Sequence, residues 1–330
     1  VDKKLQLMAT YLEITIKFQI EGIDIAEPGS ITIPAKKFIE MVRESEESDV
    51  SITVNEKNLI TMKCDKTTYK IMGLPKSEFP PIIEPKKEAI NLKINQQTLK
   101  DMILKTMFSV STDETRKILT GVYIIIEGKE IKMVGTDGHR LAFIKNSIGK
   151  EGKDIKIIVP TKILNELTKF LKDSDKDIDI SILENQIIFK FENLVLISRL
   201  IEGQYPSYEQ IINKIFDKKI RIKTENLMKA VKRVSLLAID KASAVKLRAL
   251  DNKLLVNAVA TDVGEAEEEI TADYKGEEIL IAFNSKYIMD VLKVIEKDEV
   301  EIQLRDSTSA GLIKPINDEN YLYIIMPVRL

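Results

Sequence analysis

His139 is the only histidine in the chain, and it stands two residues after Asp137 in the stretch Ile131 to Phe143, IKMVGTDGHRLAF. A histidine close to a carboxylate can serve as a general acid or base. Here the pair lacks the company that catalysis needs, because no serine or cysteine nucleophile motif accompanies it. One histidine and one cysteine, Cys64, offer no ligand-spaced cluster for a metal. No glycine-rich phosphate loop is present either. The sequence therefore assigns no catalytic residue, no metal site and no cofactor.

The other chemistry available is that of charge on helices. Five stretches have helical periodicity, and on four of them the cations fall away from the apolar stripe at about 100° per residue. Behind Pro34, a helix-opening position where the missing N–H costs nothing, Phe38, Met41 and Val42 form the stripe, with Lys36, Lys37 and Arg43 on the other side. From Asn95, an N-cap residue, to Phe108 the stripe is Leu99, Met102, Ile103 and Thr106, with Lys100 and Lys105 off it and Leu104 among the polar positions. From Thr161 to Leu171 it is Ile163, Leu164, Leu167, Phe170 and Leu171, opposite Lys162 and Lys169. A helix capped by Thr224 turns Leu227, Val231 and Val234 inward and Lys229, Lys232 and Arg233 outward. The last, from Asn284, buries Ile288, Val291 and Leu292 and presents Lys286 and Lys293.

A solvated helix usually mixes signs through i, i+4 pairs, and the net charge of the chain is −2. Basic helix faces on an acidic body imply a localised positive surface, with acid elsewhere in runs such as Arg43 to Asp49 and Gly264 to Glu269. Such a surface attracts phosphate backbone without reading bases. Tryptophan is absent and aromatic residues are 6% of the chain, which argues against stacking on single strands. The partner this predicts is duplex DNA, held loosely and with strong salt dependence.

These helices are carried by a threefold repeat. Thr10 in LQLMATYLEITIKF, Thr136 in IKMVGTDGHRLAF and Thr261 in LLVNAVATDVGEAEEEI stand at steps of about 125 residues. Pro34, Pro160 and Asn284 keep the same step, and Pro80, Pro206 and Pro327 mark the repeat ends. The unit is too long for a solenoid repeat and has the size of a domain. The predicted domains are 1–88, 89–216 and 217–330. The first copy has few residues before its Thr, so its opening strand, helix and strand, roughly 36 residues, are expected to be missing from the sequence. In the third copy Gly264 takes the place of His139, while Asp262 keeps that of Asp137. Each copy alternates strands with its helices, as at Val50 to Val54, Leu59 to Cys64, Thr67 to Met72 and Tyr321 to Ile325, which makes the chain α+β.

Hydrophobic residues make up 44% and charged residues 31%, enough for several cores. No apolar run approaches the ~18 residues of a membrane span, no secretory signal opens the sequence, and no membrane partner is expected. The lone Cys64 suits a reducing cytoplasm.

Four blocks carry a resemblance over the whole chain: TDGHRLA (Thr136 to Ala142), EGQYPSYEQII (Glu202 to Ile212), FNSKYIMDVL (Phe283 to Leu292) and MPVRL (Met326 to Leu330). In this order and spacing they resemble the bacterial DNA polymerase III beta subunit, the sliding clamp family. The resemblance implies a DNA clamp fold, with three similar domains per chain in a head-to-tail homodimer, helices lining the bore of a ring and antiparallel sheets outside. It implies a non-enzymatic processivity factor that encircles duplex DNA and serves the replicative polymerase, the clamp loader and other proteins bearing a short Gln- and Leu/Phe-containing peptide. Carried over residue by residue, the peptide pocket between domains two and three comprises Leu119, Thr136, Gly138, His139, Arg140, Leu141, Pro206, Ile211, Asn284, Tyr287, Thr308, Ala310, Ile324, Ile325, Met326, Pro327, Val328 and Arg329. Its mix of apolar walls and a few polar groups suits a groove that buries anchor side chains. Dimer contacts are carried over as Leu236 and Leu237 against Tyr69 and Ile71 of a second copy, with edge strands paired across the joint and Glu265, Glu267 and Glu268 nearby.

Overall fold

Pro34, Pro160 and Asn284 each stand where a strand gives way to a helix, the transition that recurs through the computed structural model. It describes residues 3–11, 13–45, 49–81, 89–149, 153–239 and 243–329. Parts of the acidic run before Asp49 and of the proline-rich loop after Pro81 fall outside these residues, as does Leu330. The chain divides into two units, Val1–Ala89 with Ile188–Ser198, and Ile90–Ile187 with Arg199–Leu330.

In the first unit the antiparallel strands Lys4–Tyr11 and Ile14–Glu21 pair from Lys4 with Glu21 to Tyr11 with Ile14. The segment Leu194 to Ser198 joins the free side of the second strand. Helix α1 (Ala35–Arg43) follows Pro34. A three-stranded sheet has Leu59–Cys64 at its centre between Val50–Val54 and Thr67–Met72, as the alternation predicts. The central strand buries Ile60, Met62 and Cys64. The expected stripe of α1 needs correction: Met41 is buried, but Val42 is 45% exposed and Ile39 47% exposed. The helix meets its unit along the narrow line of Phe38 and Met41, and no described residue covers the flank beside it.

The second unit is built on an eight-stranded antiparallel sheet. Its order is Ile155–Pro160, Gly121–Glu127, Glu130–Thr136, Arg140–Ser147, Tyr321–Ile325, Gly311–Pro315, Glu299–Leu304 and Lys218–Lys223. The first four strands come from the second repeat and the last four from the third. They join where Arg140 to Ile144 pair with Ile325 to Tyr321. The remaining strands of the third repeat, Gly264–Thr271, Lys253–Ala260, Ala244–Leu250 and Ile279–Asn284, form a four-stranded sheet in that order. Ile90–Asn95 pairs with Asp177–Ile182.

Helices α2 (Gln96–Met107), α3 (Thr161–Phe170), the short α4 (Glu209–Ile212), α5 (Thr224–Val234) and α6 (Ser285–Val294) complete this unit. Helix α2 packs against α3 and α6, and α6 against α5, so four helices lie in the order α3, α2, α6, α5. Asn95 caps α2 by accepting from the Thr98 N–H at 3.0 Å, and Asn284 caps α6 by accepting from Lys286 and Tyr287 at 2.9 and 3.3 Å. Two expectations need correction. Thr224 does not cap α5: it is the first helical residue, and its hydroxyl donates to the Lys297 carbonyl at 2.6 Å because the strand runs straight into the helix beside that loop. Phe170 is 38% exposed at the last position of α3, and Leu171, just beyond, takes the buried place. Among the described residues no helix is long and apolar enough to cross a membrane.

Candidate functional site

The TDGHR turn connects strands Glu130–Thr136 and Arg140–Ser147, and its side chains hold the turn itself. The Asp137 carboxylate accepts from the backbone N–H of His139 at 2.8 Å, from that of Arg140 at 3.0 Å, and from the Arg140 Nε at 2.9 Å. Thr136 accepts from the Gly138 N–H at 3.1 Å and donates to the Arg140 carbonyl. Gly138 has φ +90°, a left-handed conformation that favours glycine. The acid that could have served His139 is thus engaged with backbone and arginine. The imidazole is exposed and makes no hydrogen bond among the described residues. Replacing His139 by alanine is expected to move the melting temperature by no more than about 1 to 2 °C, since an exposed group without partners contributes within ~0.5 kcal/mol; a thermal scan checks it.

Arg140 turns inward. Its guanidinium donates to Asp137, to Asp290 of α6 at 2.8 Å and to the carbonyl of Phe108 at the end of α2, also at 2.8 Å. It lies 4.3 Å from the centre of the Tyr287 ring, a cation–π contact that gains strength when shielded from water. Arg140, expected on a pocket wall, is buried and ties the second repeat to the third. Asp290 and Phe108 escaped the sequence reading because nothing local marks an acceptor that a distant arginine will use.

The other residues carried over as a pocket divide into a buried set and a more exposed one. Leu141, Ala310 and Ile324 belong to one buried cluster with Tyr205, Tyr208 and Leu312, and Leu119 packs against it. Leu141 and Ile324 are partners across the central strand pair. Tyr205 stacks on Tyr123 at 4.6 Å, and Tyr208 meets Tyr123 edge-on and Phe143 in a stack, so Pro206 between the two tyrosines is held at the surface. Burial pushes the Tyr208 phenol up to about 12 and raises those of Tyr205 and Tyr323 as well, so all three are neutral near pH 7. These flanking tyrosines were readable in GQYPSY but were passed over.

Of the more exposed set, Met326 is 50% exposed and Ile211, on α4, 37% exposed, while Ile325 is fully buried. The Met326 N–H donates to the His139 carbonyl at 2.9 Å and the Val328 N–H to the Ala282 carbonyl at 2.8 Å, which fixes the path of Pro327 between them. Arg329 and Thr308 are exposed; Asn284 and Tyr287 are half-buried. Thr308 sits in a loop organised by Asp306, whose carboxylate accepts from Ser309, Arg305 and Thr308 and is held well below the usual carboxylate range by those bonds. Missed by the sequence reading, Arg116 donates to the Asp137 carbonyl at 2.9 Å and lies beside the turn.

The helix cations are not alone on their faces. Lys37 pairs with Glu40 at 2.8 Å, Lys105 with Asp101 at 2.8 Å, Lys169 with Glu166 at 2.7 Å and Lys293 with Asp290 at 3.6 Å, while Lys229 meets Glu225. Lys100 reaches Asp173 at 2.7 Å, Lys162 reaches Glu114 at 4.0 Å, and Arg233 grips Glu268. Lys105 is mostly covered and also lies over the Tyr321 ring. Lys36, Arg43, Lys232 and Lys286 are exposed and have no ion-pair partner among the described residues.

Tyr69 and Ile71 are half-buried on Thr67–Met72, an edge strand of the first unit's three-stranded sheet. Leu236 is 76% exposed at the turn after α5, with Leu237 half-buried beside it. Strand Gly264–Thr271, bearing Glu265, Glu267 and Glu268, is an edge of the four-stranded sheet. Among the described residues no group of acidic, histidine or cysteine side chains could hold a metal.

Comparison with known proteins agrees with this geometry. The N-terminal domain model of the DNA polymerase III beta subunit matches residues 1–83, the central domain model 93–207 and the C-terminal domain model 209–329. The chain is 34% identical over 324 residues to the beta sliding clamp of Staphylococcus epidermidis, covering 96% of this chain and 85% of that protein. Its fold is similar to the crystal structure of the DNA polymerase sliding clamp from Bacillus subtilis, with TM-score 0.94 and 32% identity over 100% of this chain and 90% of that one. The DNA polymerase III subunit beta from Pseudomonas aeruginosa matches equally well, with TM-score 0.94 and 30% identity over 100% and 91% of the two chains. With three domain models matched in order along a chain of this fold, the protein belongs to the DNA polymerase III beta subunit family of sliding clamps.

Proposed function

We propose that the chain acts as a sliding clamp by pairing head to tail with a second copy, closing a ring around duplex DNA and keeping the replicative polymerase on its template. The observation that carries this reading is the layer α3, α2, α6, α5, in which the cations of two successive repeats lie on contiguous helices. A ring holds DNA by topology, so its lining needs only a weak positive field, which the exposed Lys36, Arg43, Lys232 and Lys286 suit. We assign domains to 1–88, 89–216 and 217–330, with the helices facing the bore and the sheets outside.

The groove over Leu141, Ala310 and Ile324, rimmed by Leu119, Pro206, Ile211 and Met326, suits apolar anchors of a short partner peptide, with His139, Asn284 and Arg329 at hand for its polar groups. A clamp loader and the polymerase are the expected bearers of that peptide. The edge strands Gly264–Thr271 and Thr67–Met72 suit the joint between copies: each has unpaired backbone groups, one is acidic, and the other carries Lys70.

The test is retention on DNA. Protein loaded on nicked circular duplex is expected to stay bound at moderate salt and to leave when the circle is cut once; equal retention on both forms would overturn the ring. In the same assay Leu236→Asp is expected to abolish retention and to give monomers in sedimentation at micromolar concentration, since a charge placed at the centre of an interface costs upwards of ~2 kcal/mol.

A further inference from the structure

We propose that the carboxylates on these helices restrain DNA contact: Glu166, Glu225 and their counterparts neutralise the lysines one turn away, so that the clamp touches duplex weakly enough to slide. The inference rests on the clamp reading and concerns how strongly the helical layer engages its DNA. All five of the longer helices show the same arrangement. Glu40 stands three residues after Lys37 on α1, and Glu166 three before Lys169 on α3. Asp101 stands four before Lys105 on α2, Glu225 four before Lys229 on α5, and Asp290 three before Lys293 on α6. Each pair shares one helical face, because residues three or four apart are neighbours there.

Such pairs are not explained by helix stability alone, to which each adds only a few tenths of a kcal/mol. Their effect on an approaching phosphate is larger. A lysine and a carboxylate within 4 Å of each other are close compared with the screening length of about 8 Å at physiological salt, so a phosphate beyond that distance meets a nearly neutral group. Cations without a carboxylate partner among the described residues remain at Lys36 and Arg43 on α1, Lys232 on α5 and Lys286 on α6, all exposed. Affinity for duplex should therefore arise from few cations, with the rest held in reserve.

The experiment removes carboxylate charge without changing shape. The double variant Glu166→Gln, Glu225→Gln frees Lys169 and Lys229; both acids lie on the surface and make no contact with the Arg140 tie. The control, Glu127→Gln with Glu278→Gln, changes net charge equally but lies away from the helices, at the end of strand Gly121–Glu127 and just before strand Ile279–Asn284, where these acids pair with Lys132 and Lys156 and with Arg248. Binding to a linear 30-base-pair duplex is measured against salt for wild type and both variants, alongside single-molecule diffusion of loaded clamps. The helix variant is expected to bind at least ~5-fold tighter at 0.1 M salt, with a salt slope steeper by about 1 to 2 units, the value for one or two added phosphate contacts, and to diffuse more slowly along DNA. The control is expected to change affinity by less than about 2-fold. Unchanged affinity and slope in the helix variant would overturn the proposal, as would equal tightening in the control, which would reduce the effect to net charge. Failure of the clamp reading itself is seen separately, as wild-type protein that stays on DNA after the circle is cut.

Discussion

Replacing Arg140 with methionine is expected to lower the melting temperature of the second unit by about 10 °C. The substitution keeps much of the side-chain volume but removes donors to Asp137, Asp290 and the Phe108 carbonyl, together with the face-on contact with Tyr287. Asp137 and Asp290 are then left largely covered without their main partner, and breaking a buried pair from one side costs about 3 to 5 kcal/mol. At roughly 2 to 4 °C per kcal/mol for a unit of this size, the loss is easily read by calorimetry. The double variant Arg140→Met, Asp290→Asn should recover part of it, because one of the stranded charges is gone. If the single variant melts within about 2 °C of wild type, Arg140 does not tie the repeats together. Lysine at this position should fall between the two, since it keeps the charge but not the planar fork that reaches three acceptors.

The second large effect is expected from Gly135→Ala, just before the TDGHR turn. A methyl group there would come within 2.3 Å of the Thr106 carbonyl oxygen and 3.1 Å of its carbon. These are backbone atoms in the last turn of α2, and the oxygen already accepts from the Ser109 N–H. The Thr106 side chain is buried and bonded back to the Met102 carbonyl, so the turn has no easy way to yield. Helix α2 must lift from the strand, which overpacking at a stiff contact makes worth about 3 kcal/mol. We expect a fall of about 6 to 12 °C in melting temperature, checked by thermal unfolding beside Gly128→Ala. Gly128 has open space around it and a strained φ of +58°, so only the conformational cost, about 1 kcal/mol, applies there. Equal effects at the two glycines would remove the case for a tight helix–strand contact.

What the sequence made legible was local. The alternation in SITV, LITMKC and TTYKIM predicts three strands, and all three form over the expected residues. The N-cap at Asn95 was readable because a short polar side chain at a strand end has few other uses there, and Asn284, expected only to start the last helix, proves to cap it in the same way. Thr224 has the same residue chemistry but a neighbouring carbonyl from Lys297 competes for its hydroxyl, and no local pattern reveals that neighbour. The partners of Arg140 were hidden for the same reason on a larger scale: they lie on α6 and at the end of α2, far apart in sequence. Periodicity places the helix cations on one face, but it does not show that Glu40, Asp101, Glu166, Glu225 and Asp290 stand within reach of them. The gathering of residues from MPVRL and TDGHRLA was implied by the resemblance alone, and only the strand register separates Ile324, in the buried cluster, from its buried neighbour Ile325.

The central pairing of the eight-stranded sheet has a consequence for synthesis. Strand Arg140–Ser147 has one neighbour from its own repeat, but the other, Tyr321–Ile325, lies almost at the far end of the chain. A ribosome making about 5 to 20 residues per second needs roughly 10 to 40 seconds to go from one to the other. Throughout that interval the second repeat carries an uncovered strand edge with Leu141, Phe143 and Ile144 on it. The nascent chain thus holds an open edge at the very junction that later joins the two repeats, where a premature strand from another polypeptide can take the place of the last one.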